Sequence, residues 1–428
     1  MQLYWRGMAD RSLLESLPEL VERGFITAEQ GARIHAHYAP TAERRTDRSM
    51  VLFSVLGALL IGTGVVLLVA HNWDRLPHAA RVALAFLPLA AGQGLCLFAL
   101  LKRAGSPGWR EGAALALSFG VAASLSLVAQ IYHISSDLSL FYLTWAVLIL
   151  GLVYLLRSFT TALLYLVLIT SYAFLLRDRP GHELPFLYLP LFAAVLPFYW
   201  RHLQQGPGRV STFWLSFFVA VSFAIGSQLF WQDFGPWHFI GVAGLALGYV
   251  LMPAIAPQGA RLSPFTTIGR WTLLVLLFML SGSDLWSWGG LEDLQHDLLP
   301  LLVMVAIGLA AYAITFRKRG WRGDPVPELF FAVVALVAMG RVAPVPAMLL
   351  ANLLLLGFGV MVVRQGIASG SLGRMNMGLV VIAATIIARF FDLAIGAELK
   401  GLLSIAIGAA FLLLNLRLLR ERKKKGHA

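Results

Sequence analysis

Residues 50–70 read MVLFSVLGALLIGTGVVLLVA, twenty-one residues without a charge. At 1.5 Å per residue a helix of that length crosses roughly 30 Å of hydrocarbon. Water is absent there, so every backbone N–H and C=O needs a partner within the segment, and the run must be helical. Comparable runs follow at about 79–101, 112–131, 140–156, 159–176, 184–200, 211–231, 237–256, 267–287, 298–316, 326–340, 342–363, 375–391 and 399–416. The fold class is therefore all-α, a polytopic transmembrane helix bundle of about fourteen spans. Several runs are short or contain Pro88, Pro190, Pro197 or Pro253, which leaves the count open between twelve and fifteen.

Composition agrees. Hydrophobic residues make up 58% of the 428 and charged residues 13%, with a mean hydropathy of +0.75. A soluble domain carries about 25% charged residues, so this chain has too few to clothe a large surface in water. The net charge of +12 does not point to nucleic acid, because Lys and Arg are scattered in small groups between the apolar runs. The bilayer explains that scatter through the excess of basic residues in cytoplasmic loops. With the N-terminus inside, 27 of the 34 Lys and Arg fall on the cytoplasmic side and 7 outside. A span missed in the middle would swap every later loop, so the split supports fourteen spans with both termini cytoplasmic. Asp and Glu divide evenly, and His71, His78, His133, His182, His238 and His296 fall outside.

Ahead of the first run, residues 1–48 read as a cytosolic helical hairpin. Leu13, Leu14, Leu17, Leu20 and Val21 recur at helical spacing, and Gly24 stands where that helix should stop. Thr27 and Gln30 have capping-box spacing for a second helix towards Tyr38, with Phe25 and Ile26 expected to pack between the two. The expected organisation is thus a hairpin over 1–48, a membrane domain over 49–418 and a basic cytosolic tail over 419–428. No cleavable signal precedes the first run, which is expected to act as an uncleaved anchor.

Chemistry-bearing residues gather where odd-numbered spans reach the outer surface. The first span ends in His71-Asn72-Trp73-Asp74, the third in Gln130-Ile131-Tyr132-His133, and the thirteenth in Arg389-Phe390-Phe391-Asp392. Polar groups beside hydrocarbon are expensive unless paired or facing water, which makes Asn72, Trp73, Asp74, Gln130, Tyr132, His133, Arg389 and Asp392 candidates for one outer-face site. Each also has a plainer account. Trp73 and Tyr132 suit interfacial anchoring. Arg389 and Asp392, three apart on a helix, suit mutual neutralisation. His133 would respond to a carboxylate such as Asp74 or Asp137. On the inner face Glu111 opens the third span, where a helix dipole favours it.

Other signals are weaker. Gly244 and Gly248 have the spacing that lets helices approach closely, expected here within the chain. Residues 128–133 (VAQIYH) and 226–231 (GSQLFW) echo each other at the ends of two spans, from duplication or from chance. The sequence lacks a phosphate loop, an HExxH and a Gly-x-Ser-x-Gly. The single cysteine, Cys96, rules out an intramolecular disulfide and a thiolate metal cluster. No cofactor and no metal are expected.

Arg23-Gly24-Phe25-Ile26-Thr27-Ala28-Glu29-Gln30, Asn72-Trp73-Asp74, Glu111-Gly112 and Gln130-Ile131-Tyr132-His133 together resemble the bacterial membrane proteins of domain-of-unknown-function family 2157. The resemblance covers about residues 10–180. Asn376, Arg389-Phe390-Phe391-Asp392 and Asn415 are similar to related multispanning proteins, while 185–370 carries no such motif. The resemblance implies a bacterial inner-membrane location and brings no substrate or reaction.

Three functions stay open. One is a transporter or flippase-like protein with an outward-facing polar site for a small molecule or lipid. Another is a sensor or assembly factor whose hairpin binds a cytosolic protein. The third is a membrane-embedded enzyme on a lipid-linked substrate, with Asp74 or Asp392 as base and Arg389 holding an anionic group.

Overall fold

The computed structural model describes residues 17, 20–34, 76–134, 137–181, 183–206, 208–231, 235–255, 262–282, 286, 294–319, 326–392, 405 and 409. By internal packing the chain divides into two units, Met1–Leu84 and Ala85–Ala428.

In the first unit the described residues contain the turn of the expected hairpin. Gly24 has φ +72°, a left-handed conformation that glycine adopts without a Cβ penalty. Gly24 N donates to Val21 O and Phe25 N to Leu20 O, both at 3.0 Å, the paired bonds of a Schellman closure. The capping box then forms in both directions. Thr27 N donates to Gln30 Oε1 at 3.0 Å and Gln30 N to Thr27 Oγ1 at 3.2 Å. Leu17 is buried, but Phe25 is 72% exposed. The expectation that Phe25 packs inside the hairpin is corrected: at C″, just past the turn, its side chain points outward. Leu13, Leu14, Tyr38 and the basic tail lie outside the described residues.

Twelve helices follow among the described residues. They are α1 (His78–Lys102), α2 (Pro107–Ile131), α3 (Leu138–Leu155), α4 (Phe159–Arg177), α5 (Tyr188–Gln205), α6 (Val210–Gln228), α7 (Pro236–Ile255), α8 (Ser263–Leu280), α9 (Leu294–Arg319), α10 (Leu329–Gly340), α11 (Pro344–Ala368) and α12 (Leu372–Asp392). They fall one for one on the twelve middle spans expected from sequence. The expected spans at 50–70 and 399–416 lie outside the described residues, apart from residues 405 and 409.

Ten of the twelve are long and apolar enough to cross a membrane. α5 contains Pro197 and carries Arg201 and His202 near its C-terminal end. α10 has 12 residues, a rise of about 18 Å that falls short of the hydrocarbon thickness. Local chemistry sets several boundaries. Pro107 and Pro344 open α2 and α11, where the missing N–H has no partner to lose. Ser158 caps α4 by accepting from Thr161 N at 3.2 Å.

Within the second unit glycine sets the tightest crossings. A Cβ on Gly244 would lie 2.8 Å from Val305 Cα, and one on Gly378 would lie 2.7 Å from Gly359 O. The Gly244–Gly248 pair therefore works inside the chain, seating α7 on α9, and Gly359 with Gly378 does the same for α11 and α12. Apolar surface exposed to lipid gives no drive to associate, so close backbone contact and hydrogen bonds must hold the helices. Aromatic donors supply several. Tyr165 Oη donates to Leu191 O at 2.8 Å, Tyr188 Oη to Ser222 O at 2.7 Å, Tyr249 Oη to Ala220 O at 2.7 Å, and Trp145 Nε1 to Ser118 O at 2.8 Å. These four link α4 to α5, α5 to α6, α7 to α6 and α3 to α2.

Candidate functional site

Among the described residues, the sequence-derived candidates lie at the two ends of α2 and in the last turn of α12. Glu111, in the first turns of α2, does not serve its own helix dipole alone. Its carboxylate lies on the start of α4, 47 to 49 residues later. Oε1 accepts from Phe159 N at 2.8 Å. Oε2 accepts from Ser158 Oγ at 2.7 Å, Thr160 N at 3.0 Å and Thr160 Oγ1 at 2.6 Å. A negative charge on the N–H groups and positive dipole end of α4 is favourable twice over, and this arrangement clamps α2 to α4.

At the opposite end of α2, His133 has φ +51°, and Ile134 N donates to Ala129 O at 3.0 Å. His133 therefore occupies the left-handed position that closes a helix, usually filled by glycine. Gln130, Tyr132 and His133 are all exposed and line no described cavity. Asp137, the carboxylate expected to influence His133, is engaged elsewhere. It caps α3 by accepting from Ser139 N at 3.0 Å and Leu140 N at 3.4 Å and pairs with Arg179. The Arg179 guanidinium holds the Asp137 carboxyl below its ordinary range.

Arg389 is half-buried on α12, with its Nη2 3.7 Å from where a Gly282 Cβ would sit. It thus approaches the carbonyl end of α8, where a cation is favoured. Asn352 Nδ2, from α11, donates to Ser281 O at 3.2 Å in the same region. Asp392 is in the last turn of α12, its side chain outside the described set, and Asn72, Trp73 and Asp74 lie outside the described residues altogether. A single site joining all three outer motifs therefore has no described geometry.

A cavity lies between α6, α7 and α8, with a volume of about 520 Å³, within the 300–1,000 Å³ of ordinary ligand pockets. Its walls are mostly apolar, including Phe239, Leu245 and Leu276, with hydroxyl-bearing Tyr249 and Thr272 among them. Gln228, the last residue of α6, and His238, in the first turn of α7, supply polarity at one end. Gln228 Oε1 is buried without a hydrogen-bond partner among the described residues. Ile225 and Met279, both lining the cavity, are exposed, so it opens sideways between α6 and α8.

Charge and aromatic groups surround the polar end. Trp231 meets the His238 ring edge to face at 4.7 Å, and Arg177 Nη2 donates to Trp231 O at 2.9 Å. Arg341 stands 5.3 Å over the Trp237 ring, and Asp297 is buried. In the sequence His238 stands out only as one of six outward histidines. The available signal is Gln228 in the echoed segment, three residues before Trp231 and ten before His238. Among the described residues no three His, Cys, Asp or Glu side chains come together, and Cys96 is buried with its thiol on Ala113 O at 3.3 Å.

No curated protein and no solved structure matches the chain. Residues 18–162, the segment that includes Arg23–Gln30, Asn72–Asp74, Glu111 and Gln130–His133, match the family model described as predicted membrane protein (DUF2157). A polytopic helical membrane protein, this chain is similar over that first third to the DUF2157 membrane proteins.

Proposed function

We propose that the protein binds and moves an amphipathic, lipid-like molecule between the leaflets of a bacterial inner membrane, with both termini in the cytoplasm. The α6–α8 cavity carries the proposal. An opening beside Ile225 and Met279 admits a molecule from the bilayer, apolar walls accept its chain, and Gln228 and His238 meet its head group. Two guanidinium groups, Arg177 and Arg341, stand near that end against the one carboxylate of Asp297, a balance suited to an anionic head. The distribution of Lys and Arg supports the orientation. Arg389 belongs to this reading through the end of α8; Asn72, Trp73, Asp74 and Asp392 stay as proposed contributors.

The test is dithionite bleaching of a fluorescent phosphatidylglycerol in proteoliposomes. Wild type should flip the probe faster than protein-free vesicles, and Val242→Trp, which fills the cavity, should return the rate to that baseline with the unfolding midpoint retained. A wild-type rate equal to protein-free vesicles removes the flippase reading. A second reading, partner binding through the hairpin, has its own support in the exposed Phe25 at the turn. It gains if Phe25→Ser abolishes a cellular phenotype that Val242→Trp leaves intact.

A further inference from the structure

The first eight helices repeat a pattern. Leu87-Pro88-Leu89 on α1 returns as Leu189-Pro190-Leu191 on α5. Leu117-Ser118-Phe119-x-Val121-Ala122-x-Ser124 on α2 returns as Leu215-Ser216-Phe217-x-Val219-Ala220-x-Ser222 on α6, with Gln130 answering Gln228. Phe159-Thr160-Thr161 opens α4 as Phe265-Thr266-Thr267 lies in the first turn of α8. Burial follows the pattern. Ser118 and Ser216 are fully buried, and Ser124 and Ser222 are 5% and 3% exposed. The short echo at 128–133 and 226–231 is thus the tail of a longer match, in which α1, α2 and α4 answer α5, α6 and α8.

The copies differ where the phenol sits: the second has Tyr188 and Gly226, on which a Cβ would collide with the Tyr188 ring, and the first has Phe86 and Val128. In the second, Tyr188 reaches across from α5, is fully buried, and donates its phenol hydroxyl to Ser222 O at 2.7 Å, with Ser222 Oγ 3.1 Å away. The residue before Leu-Pro-Leu in the first copy is Phe86, which has no hydroxyl and is half exposed. Phe86 and Ser124 line a cavity of about 530 Å³ between α1, α2 and α3, together with Gln93 and apolar side chains such as Leu117, Val121 and Leu152. There the Ser124 hydroxyl is buried and has no hydrogen-bond partner among the described residues. One copy therefore fills the position with its own phenol, and the other keeps the serine and leaves a space.

We propose that the α1–α3 cavity binds a lipid-soluble phenol, the chemistry of a membrane quinol ring, with its hydroxyl on Ser124 in the place Tyr188 takes on Ser222. The ring hydroxyl donates to Ser124 O and accepts from Ser124 Oγ, and Gln93 faces the rest of the ring. Among the described residues no charged side chain lines the cavity, which selects a neutral ligand. Ser124 stands seven residues before the end of α2, about 10 Å along the helix axis. That depth is within the hydrocarbon, below the reach of a phospholipid head group.

The proposal is tested with 4-dodecylphenol and dodecylbenzene, which differ by the hydroxyl alone. Each is added to the full-length protein in nanodiscs, and retention is read by native mass spectrometry. Wild type should retain the phenol and not the benzene. Ser124→Ala should weaken phenol retention about fivefold, the loss of one hydrogen bond. Phe86→Tyr combined with Val128→Gly supplies both the missing hydroxyl and the space that Tyr188 uses beside Gly226, and should abolish retention. Equal retention of both probes by wild type, or undiminished phenol retention in the Phe86→Tyr, Val128→Gly double variant, overturns the proposal.

Discussion

Glu111→Ala should be among the most damaging single substitutions at this end of the bundle. The variant strips an acceptor from four donors at once: Phe159 N, Thr160 N, Ser158 Oγ and Thr160 Oγ1. A hydrogen bond to a charged group contributes about 1.5–3 kcal/mol net, so four taken separately would exceed any realistic effect. Two considerations reduce the sum. Glu111 is half-buried, so water can reach part of the vacated site, and Ser158 Oγ retains its bond from Thr161 N. About 3 kcal/mol of destabilisation follows, near the lower bound for breaking a buried charged network. Glu111→Gln should lose most of the same amount, because either orientation of the amide turns its NH2 on a backbone N–H. The assay is unfolding by sodium dodecyl sulfate in mixed micelles, followed by near-ultraviolet circular dichroism. A double-mutant cycle with Thr160→Val should return a coupling of about 1 kcal/mol or more. A loss under about 0.5 kcal/mol for Glu111→Ala, within the scatter of ordinary surface substitutions, or wild-type stability in Glu111→Gln, would refute the clamp between α2 and α4.

Three further outcomes rest on the same packing. Gly244→Ala should destabilise by about 1–3 kcal/mol in that assay, since its Cβ would press on Val305 Cα at 2.8 Å; Gly357→Ala, with nothing within 4 Å, should be neutral or stabilising, and equal effects would contradict the crossing. His133→Gly should stabilise by about 1 kcal/mol by relieving a left-handed non-glycine residue; a loss of stability would show that the imidazole does more than close α2. Asp137 is held below its ordinary value of 3.8, chiefly by Arg179. Its contribution should therefore be complete above that value and disappear as pH falls through the lower folded-state one. Unfolding midpoints of wild type and Asp137→Asn should differ at neutral pH and converge in acid; a gap that stays constant through the acid range would count against the pair.

The bilayer makes some of this legible and hides the rest. A run such as 112–131 can only be a helix in lipid, so spans emerge from length and apolarity. The hairpin turn is readable too, since Gly24, Thr27 and Gln30 interact within a few residues of one another. Glu111 misleads for the opposite reason: its partners sit 47 to 49 residues away, and only the packing of α2 on α4 brings them near. His133 invites a chemical reading because its residue type is reactive, whereas its backbone angle, invisible in a sequence, gives it a closing role. The α6–α8 cavity is a property of three helices together. Gln228 and His238 at the ends of neighbouring runs hint at it. Which face α8 turns to α7, however, is settled by contacts such as that of Gly269, where a Cβ would lie 2.5 Å from Ala246 O.

The phenol and indole bonds that tie α2 to α3, α4 to α5 and α6 to both its neighbours all end on main-chain oxygens. Every residue offers that same carbonyl whatever its side chain, so the accepting helix is free to exchange Leu191, Ser118 or Ala220 for another residue of similar bulk without losing the bond. The donating helix has no such freedom. Only a phenol at Tyr165, Tyr188 and Tyr249, or an indole at Trp145, carries a donor far enough from its own backbone to reach the neighbour. Divergence in this protein should accordingly be lopsided: a scan of all substitutions would find the donor positions intolerant and the acceptor positions permissive, although the two share each bond equally.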